Sequence, residues 1–300
     1  MIHQLAITIP TDVTRCPLCG DAGGRFRRRG YYVKCPTCKV AFRPQHACDA
    51  KLDEYWQEEF WSTEEIEKRK RREPVFRQAF DVLRHHKPEA GSVLDIGCGI
   101  GTFLAVCREG GWDVTGVEPS STACEVAKSE YGLELINAPF SPSLFEGKKF
   151  DAVFAAQVLH HLPDPAAFAA DIHRVLADDG VLILRTPNSI ALEPSLLMQG
   201  FLGRDNGFFC GPALYVFHPD TLSMLFNRLG FREVTFVISR PYLETPQLPW
   251  RSGQSLAPNL KRLVIAAVKL TSYGTVEIAH KLSRGRTLLG PSIFVVARKT

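Results

Sequence analysis

Between Ser92 and Thr102 the chain reads Ser-Val-Leu-Asp-Ile-Gly-Cys-Gly-Ile-Gly-Thr, and this stretch constrains the fold more than any other. A compact strand, Ser92 to Ile96, runs into glycines at alternate positions and then into a helical stretch, Phe103 to Gly110. A second strand, Asp113 to Val117, ends at Glu118. Glycines at a strand's carboxyl end let backbone approach a ligand, and the following helix presents free N–H groups. A carboxylate about 20 residues further on accepts the two hydroxyls of a ribose. The unit is therefore a nucleotide-type βαβ.

Spacing decides which nucleotide. A dinucleotide fingerprint needs Gly-x-Gly-x-x-Gly, but counted from Gly97 the sixth position is Thr102, and counted from Gly99 it is Leu104. What stands here is Asp95-x-Gly97-x-Gly99-x-Gly101, with an acid inside the strand end, suited to a cationic ammonium rather than a pyrophosphate. S-adenosylmethionine meets that description. The stretch resembles the glycine-rich first motif of the class I S-adenosylmethionine-dependent methyltransferases.

The resemblance continues in order along the chain, from about Glu64 to Ser239. Glu118 with Pro119 resembles the ribose-binding end of the second strand, and Asn137-Ala-Pro139-Phe140 the loop near adenine. Phe150 to Ala155 resembles the fourth strand and Gln157-Val-Leu-His160-His161-Leu-Pro-Asp164-Pro165 the segment after it. Arg174 to Gly180 and Val181 to Asn188 are similar to a helix, turn and fifth strand, and His218 to Phe231 to the next helix and its exit. The resemblance implies an α/β fold: a Rossmann-like sheet of seven strands in the order 3-2-1-4-5-7-6, the last antiparallel. It implies donor contacts from Asp95, Gly97, Cys98, Gly99, Gly101, Glu118, Pro119, Pro139, Phe140 and Gln157. Two departures stand out. The adenine loop lacks the acid that many relatives carry, leaving backbone groups and the Phe140 ring. Some quinone-type O-methyltransferases hold a divalent cation with Glu-x-x-Glu-His where this chain has Gln157, His160 and His161.

Ahead of this unit, Cys16-Pro-Leu-Cys19 and Cys35-Pro-Thr-Cys38 form two Cys-x-x-Cys knuckles with 15 residues between them. Each two-residue spacer turns both sulfurs toward one point, and four thiolates make a closed tetrahedral zinc site with no open position for chemistry. A structural zinc is expected at Cys16, Cys19, Cys35 and Cys38, with Arg25 to Val33 hung on it as a short hairpin. A redox dithiol is disfavoured, because it needs one pair beside a βαβ pattern rather than two in a loop-rich segment. The nine cysteines are an odd number without an export signal, which disfavours a disulfide framework.

The 300 residues, 45% hydrophobic and 23% charged, are enough for an ordinary core. The organisation expected is a zinc-binding module at 1–50, an aromatic and helical linker at 51–90, and the methyltransferase domain at 91–300 with a helical insertion at about 241–290. The longest strongly apolar run, Leu263 to Val268, falls far short of the roughly 18 residues of a spanning helix. Without a secretory pattern at Met1 to Asp12, a cytoplasmic location is expected. The net charge of +4 divides into +3 over residues 1–74, −7 over 75–230 and +8 over 231–300, so no continuous basic footprint marks a nucleic-acid protein. The run Lys68 to Arg72 follows Glu64, Glu65 and Glu67 at helix-supporting spacing and reads as a solvated helix face.

The cysteine knuckles followed by Tyr55, Trp56, Phe60 and Trp61 resemble a group of bacterial methyltransferases associated with sugars, polysaccharides and secondary metabolites. The aromatics have two readings, a lid over the cofactor or an adhesive between modules. The basic stretch Asn259 to Ser283 packs on the core or lies on an anionic membrane as a peripheral contact. The leading functional reading is a methyltransferase of a small molecule: a sugar, nucleotide-sugar or secondary metabolite. Alternatives are an RNA base methyltransferase, with Arg25, Arg27, Arg28 and Arg29 available to phosphates, and a non-catalytic cofactor-binding scaffold. An acceptor that must lose a proton needs a base, for which the candidates are His160, His161 and His218, with Tyr215 as a hydrogen-bonding alternative.

Overall fold

The computed structural model describes residues 13–22, 24–29, 32–43, 60–192, 213–240, 274–276, 278–280, 282–283 and 287–299. Cys48, Cys210, Tyr55, Trp56, the prolines between 241 and 258, and most of the basic 259–283 stretch lie outside them.

A small and a large sheet organise the chain. The small one begins with β1 (Arg27–Arg29), β2 (Tyr32–Lys34) and β3 (Ala41–Phe42), all antiparallel. The large sheet contains β4 (Ser92–Ile96), β5 (Asp113–Val117), β6 (Phe150–Ala156), β7 (Leu176–Pro187), β9 (Phe231–Ile238) and β10 (Ser292–Lys299). Its order is β5-β4-β6-β7-β10-β9. The pairs β4–β5, β4–β6 and β6–β7 are parallel, and β10 runs antiparallel to both neighbours. This is the expected Rossmann-like order with one correction: the third strand of the seven is reduced to a single parallel bridge, Val117 to Ile136. Asn137 and then Pro139, which has no N–H to give, follow immediately, so the ladder stops after one rung.

The helices are α1 (Thr63–Lys70), α2 (Glu73–His86), α3 (Thr102–Glu109), α4 (Ser121–Tyr131), α5 (Pro165–Val175) and α6 (Pro219–Arg228). The break between α1 and α2 falls at Arg71 and Arg72, and Pro74 sits in the first turn of α2, where its missing N–H is harmless. Ser62 caps α1, accepting from the Glu65 amide, and Glu64–Lys68 and Glu65–Arg69 pairs lace its surface. Asp164 caps α5, its Oδ1 accepting from the Ala166 and Ala167 amides.

Alternation along the central strands divides the core. Val93, Phe154, Val181, Ile183 and Phe294 pack against Val75, Ala79, Leu83 and Phe103 of α2 and α3. Leu94, Val153, Leu182, Leu184 and Val295 pack against Ile172 of α5 and Leu222 and Phe226 of α6. Both faces are covered, as a parallel sheet requires. One boundary differs from the sequence reading: β7 starts at Leu176, where a helix leading to a turn was expected. Asp179 takes a left-handed φ of 57° and the register to β6 shifts between Phe150 and Ala152, so the turn is absorbed as an irregularity within one long strand.

The small sheet has a fourth strand, β8 (Tyr215–Val216), which belongs in sequence to the catalytic half. It pairs with β3 through Ala41–Val216 and Phe42–Tyr215. The cysteine module and the large domain therefore share a sheet.

Candidate active site

The turn after β4 carries left-handed backbone at Gly97 (φ 66°), Gly99 (φ 56°) and Gly101 (φ 78°). A β-carbon on Gly99 would lie 2.7 Å from the Trp61 ring and one on Gly97 2.8 Å from Val158, so both positions exclude side chains by space as well as by φ. Gly101 starts α3 without a capping side chain, leaving the helix's first N–H groups facing the loop.

Glu118 leaves the end of β5 and turns back under this loop. One carboxylate oxygen accepts from the Gly99 amide at 2.9 Å and the other from the Ser120 amide at 3.1 Å. Burial pushes its pKa above the ordinary 4.5, opposed by those two N–H donors and by the Arg69 guanidinium. Asp95 is 2% exposed and no side-chain hydrogen bond reaches its carboxylate among the described residues. Burial, and then Glu118, push its pKa well up. A buried carboxylate is costly unless a positive charge or hydrogen bonds compensate it. The Asn137 side-chain amide donates to the Glu118 and Pro119 carbonyls at 3.0 Å each, fastening the loop of residues 137–140 to the end of the second strand. Pro139 is exposed and Phe140 half-buried, its ring edge-on to Phe168 at 5.6 Å. The half-buried Cys98 has its thiol pushed well up by burial first and by Asp95 next, so it stands as a neutral thiol in the turn.

On the far side of Asp95, Gln157 follows β6 with a left-handed φ of 63° and its amide donates to the Arg185 carbonyl. Leu159–His161 then forms a single 3-10 turn. His160 is fully buried, neither ring nitrogen has a hydrogen-bond partner, and burial, then His161 and Arg185, hold it well below its ordinary pKa. His161 is half-buried, its ring 4.0 Å from that of His160. His218 and Tyr215, the other two candidates, are placed elsewhere. His218 caps α6, its Nδ1 accepting from the Asp220 amide, and the Tyr215 hydroxyl donates to the Pro163 carbonyl at 3.0 Å from the strand that pairs with β3. They hold the junction with the cysteine module rather than lining the glycine turn.

In that module the four sulfurs of Cys16, Cys19, Cys35 and Cys38 lie within 4.8 Å of one another. Cys16–Cys38 and Cys19–Cys35 are 3.7 Å apart. Thiolates at about 2.3 Å from a tetrahedral zinc stand about 3.8 Å from each other, so the donor set fits that ion. Contact with Cys38 pulls the Cys16 thiol down to about 5. Thr221 of α6 donates its hydroxyl to the Cys38 carbonyl, and Lys39 pairs with Asp220 at 2.5 Å.

Sequence reasoning missed Arg69, Arg185 and Thr221. Arg69 reads as one more charge on a helix face, and Thr221 as an ordinary helix residue. Nothing local marks their partners, which lie 49 and 183 positions away in the chain at Glu118 and Cys38.

Together the sheet order and the glycine turn give the large domain the fold of the class I S-adenosylmethionine-dependent methyltransferases. The family described as "Methyltransferase domain" matches residues 68–235, more than half of the chain, and the chain belongs to that family. It is 32% identical over 118 residues to a ubiquinone biosynthesis O-methyltransferase of Haemophilus ducreyi, covering 36% of this chain and 50% of that protein. It is 30% identical over 181 residues to a tRNA U34 carboxymethyltransferase of Alteromonas mediterranea, covering 55% of this chain and 52% of that protein. The chain thus spans about half the length of these curated relatives. Among solved structures, magnesium protoporphyrin IX methyltransferase from Synechocystis PCC 6803 with bound SAH superposes with a TM-score of 0.52 at 15% identity, covering 83% of this chain and 99% of that one. That likeness is one of fold. Among the described residues no helix is long and apolar enough to cross a membrane.

Proposed function

We propose that the chain transfers a methyl group from S-adenosylmethionine to a small-molecule acceptor: a sugar, nucleotide-sugar or secondary metabolite. The observation that carries this reading is the pair of buried acids around the glycine turn, Glu118 fixed by two backbone N–H groups and Asp95 left without a partner. When bound, the donor supplies an activated sulfonium methyl, so the protein needs no covalent nucleophile. Its residues bind and orient. Glu118 takes the ribose hydroxyls, Asp95 the methionyl ammonium, and Asn137 keeps the Pro119 and Pro139–Phe140 walls at the adenine edge. Positioning and exclusion of water supply most of the rate.

For a hydroxyl or carbon-acid acceptor, the turn after β6 supplies the base. His161 is the half-buried member of the pair and takes the proton at a ring nitrogen; His160, buried and held neutral, packs beneath it. Zinc bound by Cys16, Cys19, Cys35 and Cys38 is structural and completes a module too small for a core of its own.

A panel of nucleotide-sugars, phenols and amines with S-adenosylmethionine, scored for a gain of one methyl by mass spectrometry, tests the reading. Turnover of at least one class, reduced about a hundredfold or more in His161→Ala for a hydroxyl acceptor, is expected. Near-normal rates in both His160→Ala and His161→Ala remove the base from this turn.

A second reading, methylation of RNA, is favoured by the longer match to the tRNA-modifying relative and by β1, three consecutive arginines. It predicts RNA binding that weakens steeply with salt. Salt-insensitive or absent binding excludes it.

A further inference from the structure

The segment just ahead of the family match closes over the donor turn. Trp61 is 8% exposed and packs on Ile100 of the glycine turn and Ala123 of α4, so one indole bridges the two walls that carry Gly99 and Glu118. Its ring occupies the space a β-carbon on Gly99 would need. Phe60 meets Trp61 edge-on at 5.2 Å. The Arg69 guanidinium lies 5.0 Å from the Phe60 ring and 5.5 Å from the Trp61 ring, and its Nε donates to Glu65 at 2.9 Å. From that position its charge acts on Glu118. Lys70 at the end of α1 pairs with Glu130 of α4 at 2.7 Å, pinning the helix across the site.

We propose that Phe60, Trp61 and Arg69 form a clasp over the donor pocket, with Trp61 holding the glycine turn against the adenosine and Arg69, fixed by Glu65, holding the two rings in place. The proposal rests on the donor reading above and deepens it: a positioning element that precedes β4 in the chain sets donor affinity. The physical reason is local. Glu118 already receives two N–H donors and faces Asp95 from β4 and the thiols of Cys98 and Cys124, none of which is a cation. Arg69 is the positive charge acting on it among the described residues. A guanidinium held between two rings and a carboxylate keeps its direction without a mobile stem.

The test is calorimetry of the full chain with S-adenosylhomocysteine and with 5′-methylthioadenosine, which lacks the amino-acid end. Trp61→Ala is expected to weaken both by a similar factor, about tenfold or more, and Trp61→Phe to restore most of the loss. Arg69→Met raises the pKa of Glu118 further, so affinity is lost at a higher pH on acidification than in the wild type, and Arg69→Lys brings the profile back. That profile is a readout packing alone does not move. Wild-type affinity and pH profile in both Trp61→Ala and Arg69→Met overturn the clasp while leaving the donor reading intact. No binding by the wild type overturns the donor reading and the clasp with it. Arg69→Met carries the test if Trp61→Ala fails to fold.

Discussion

Leu214 accepts from the Arg43 amide at 2.9 Å through its carbonyl and donates to the His160 carbonyl at 2.8 Å through its amide. One residue therefore links the cysteine module to the turn that carries the candidate base. The Tyr32 hydroxyl adds a bond to the Ala213 carbonyl beside it, and Tyr215 reaches Pro163 from the next position. Removing metal with a chelator is expected to speed amide exchange at Leu214 and across residues 159–163 as well as in the knuckles. Unchanged protection at Leu214 would show the two halves to be independent.

Tyr215 is almost fully buried, stacked on Phe217 at 5.6 Å and bonded to Pro163. Tyr215→Ala should lower unfolding stability by about 3 kcal/mol or more in urea titration, because a large ring and a satisfied hydroxyl are lost together. Tyr215→Phe loses only the hydrogen bond, about 1 kcal/mol. Equal losses would place the contribution in the hydroxyl instead.

Gly99→Ala adds a β-carbon where Trp61 already stands and forces an L residue to a φ of 56°. We expect S-adenosylhomocysteine affinity to fall by about a hundredfold while the β4–α3 unit stays folded by circular dichroism. Gly132→Ala, at a helix C-cap with open space around it, shares the left-handed strain alone and leaves affinity unchanged.

The two acids give a signed pH dependence. Both Asp95 and Glu118 bind their protons more tightly folded than unfolded, where the values are about 3.8 and 4.5. Their stabilisation is therefore present below those values and lost as pH rises through the folded pKa values. The thermal midpoint of ligand-free protein should fall as pH rises from about 4 on this account, and the upward shift produced by S-adenosylhomocysteine should grow over the same range. Calorimetry in buffers of different ionisation heat should register proton release on binding. Binding without proton release and with a constant shift would contradict the assigned roles.

The strand, glycine turn, helix and second strand that frame this site were legible because they are contiguous within Ser92–Glu118, and each is signalled by its own residues. The four cysteines were legible for the same reason. What escaped is assembled from distant chain. The two-residue β8 has no periodicity of its own and exists because β3, more than 170 positions earlier, offers an open edge. A third strand is expected ahead of the loop that begins at Asn137, but one bridge, Val117 to Ile136, is all that forms before Pro139. Trp61 stands among clustered aromatics in the sequence, yet its place on Gly99 depends on packing against Ile100 and Ala123, which lie 39 and 62 positions further on.

The central claim is a donor pocket in which Glu118 receives the ribose and Asp95 the ammonium. Titrating S-adenosylhomocysteine into folded, zinc-loaded protein and into Glu118→Gln and Asp95→Asn tests it most directly. The account predicts micromolar-class binding by the wild type, weakened about tenfold to a hundredfold in each variant. Absence of heat from the wild type, or undiminished affinity in both variants, would contradict it.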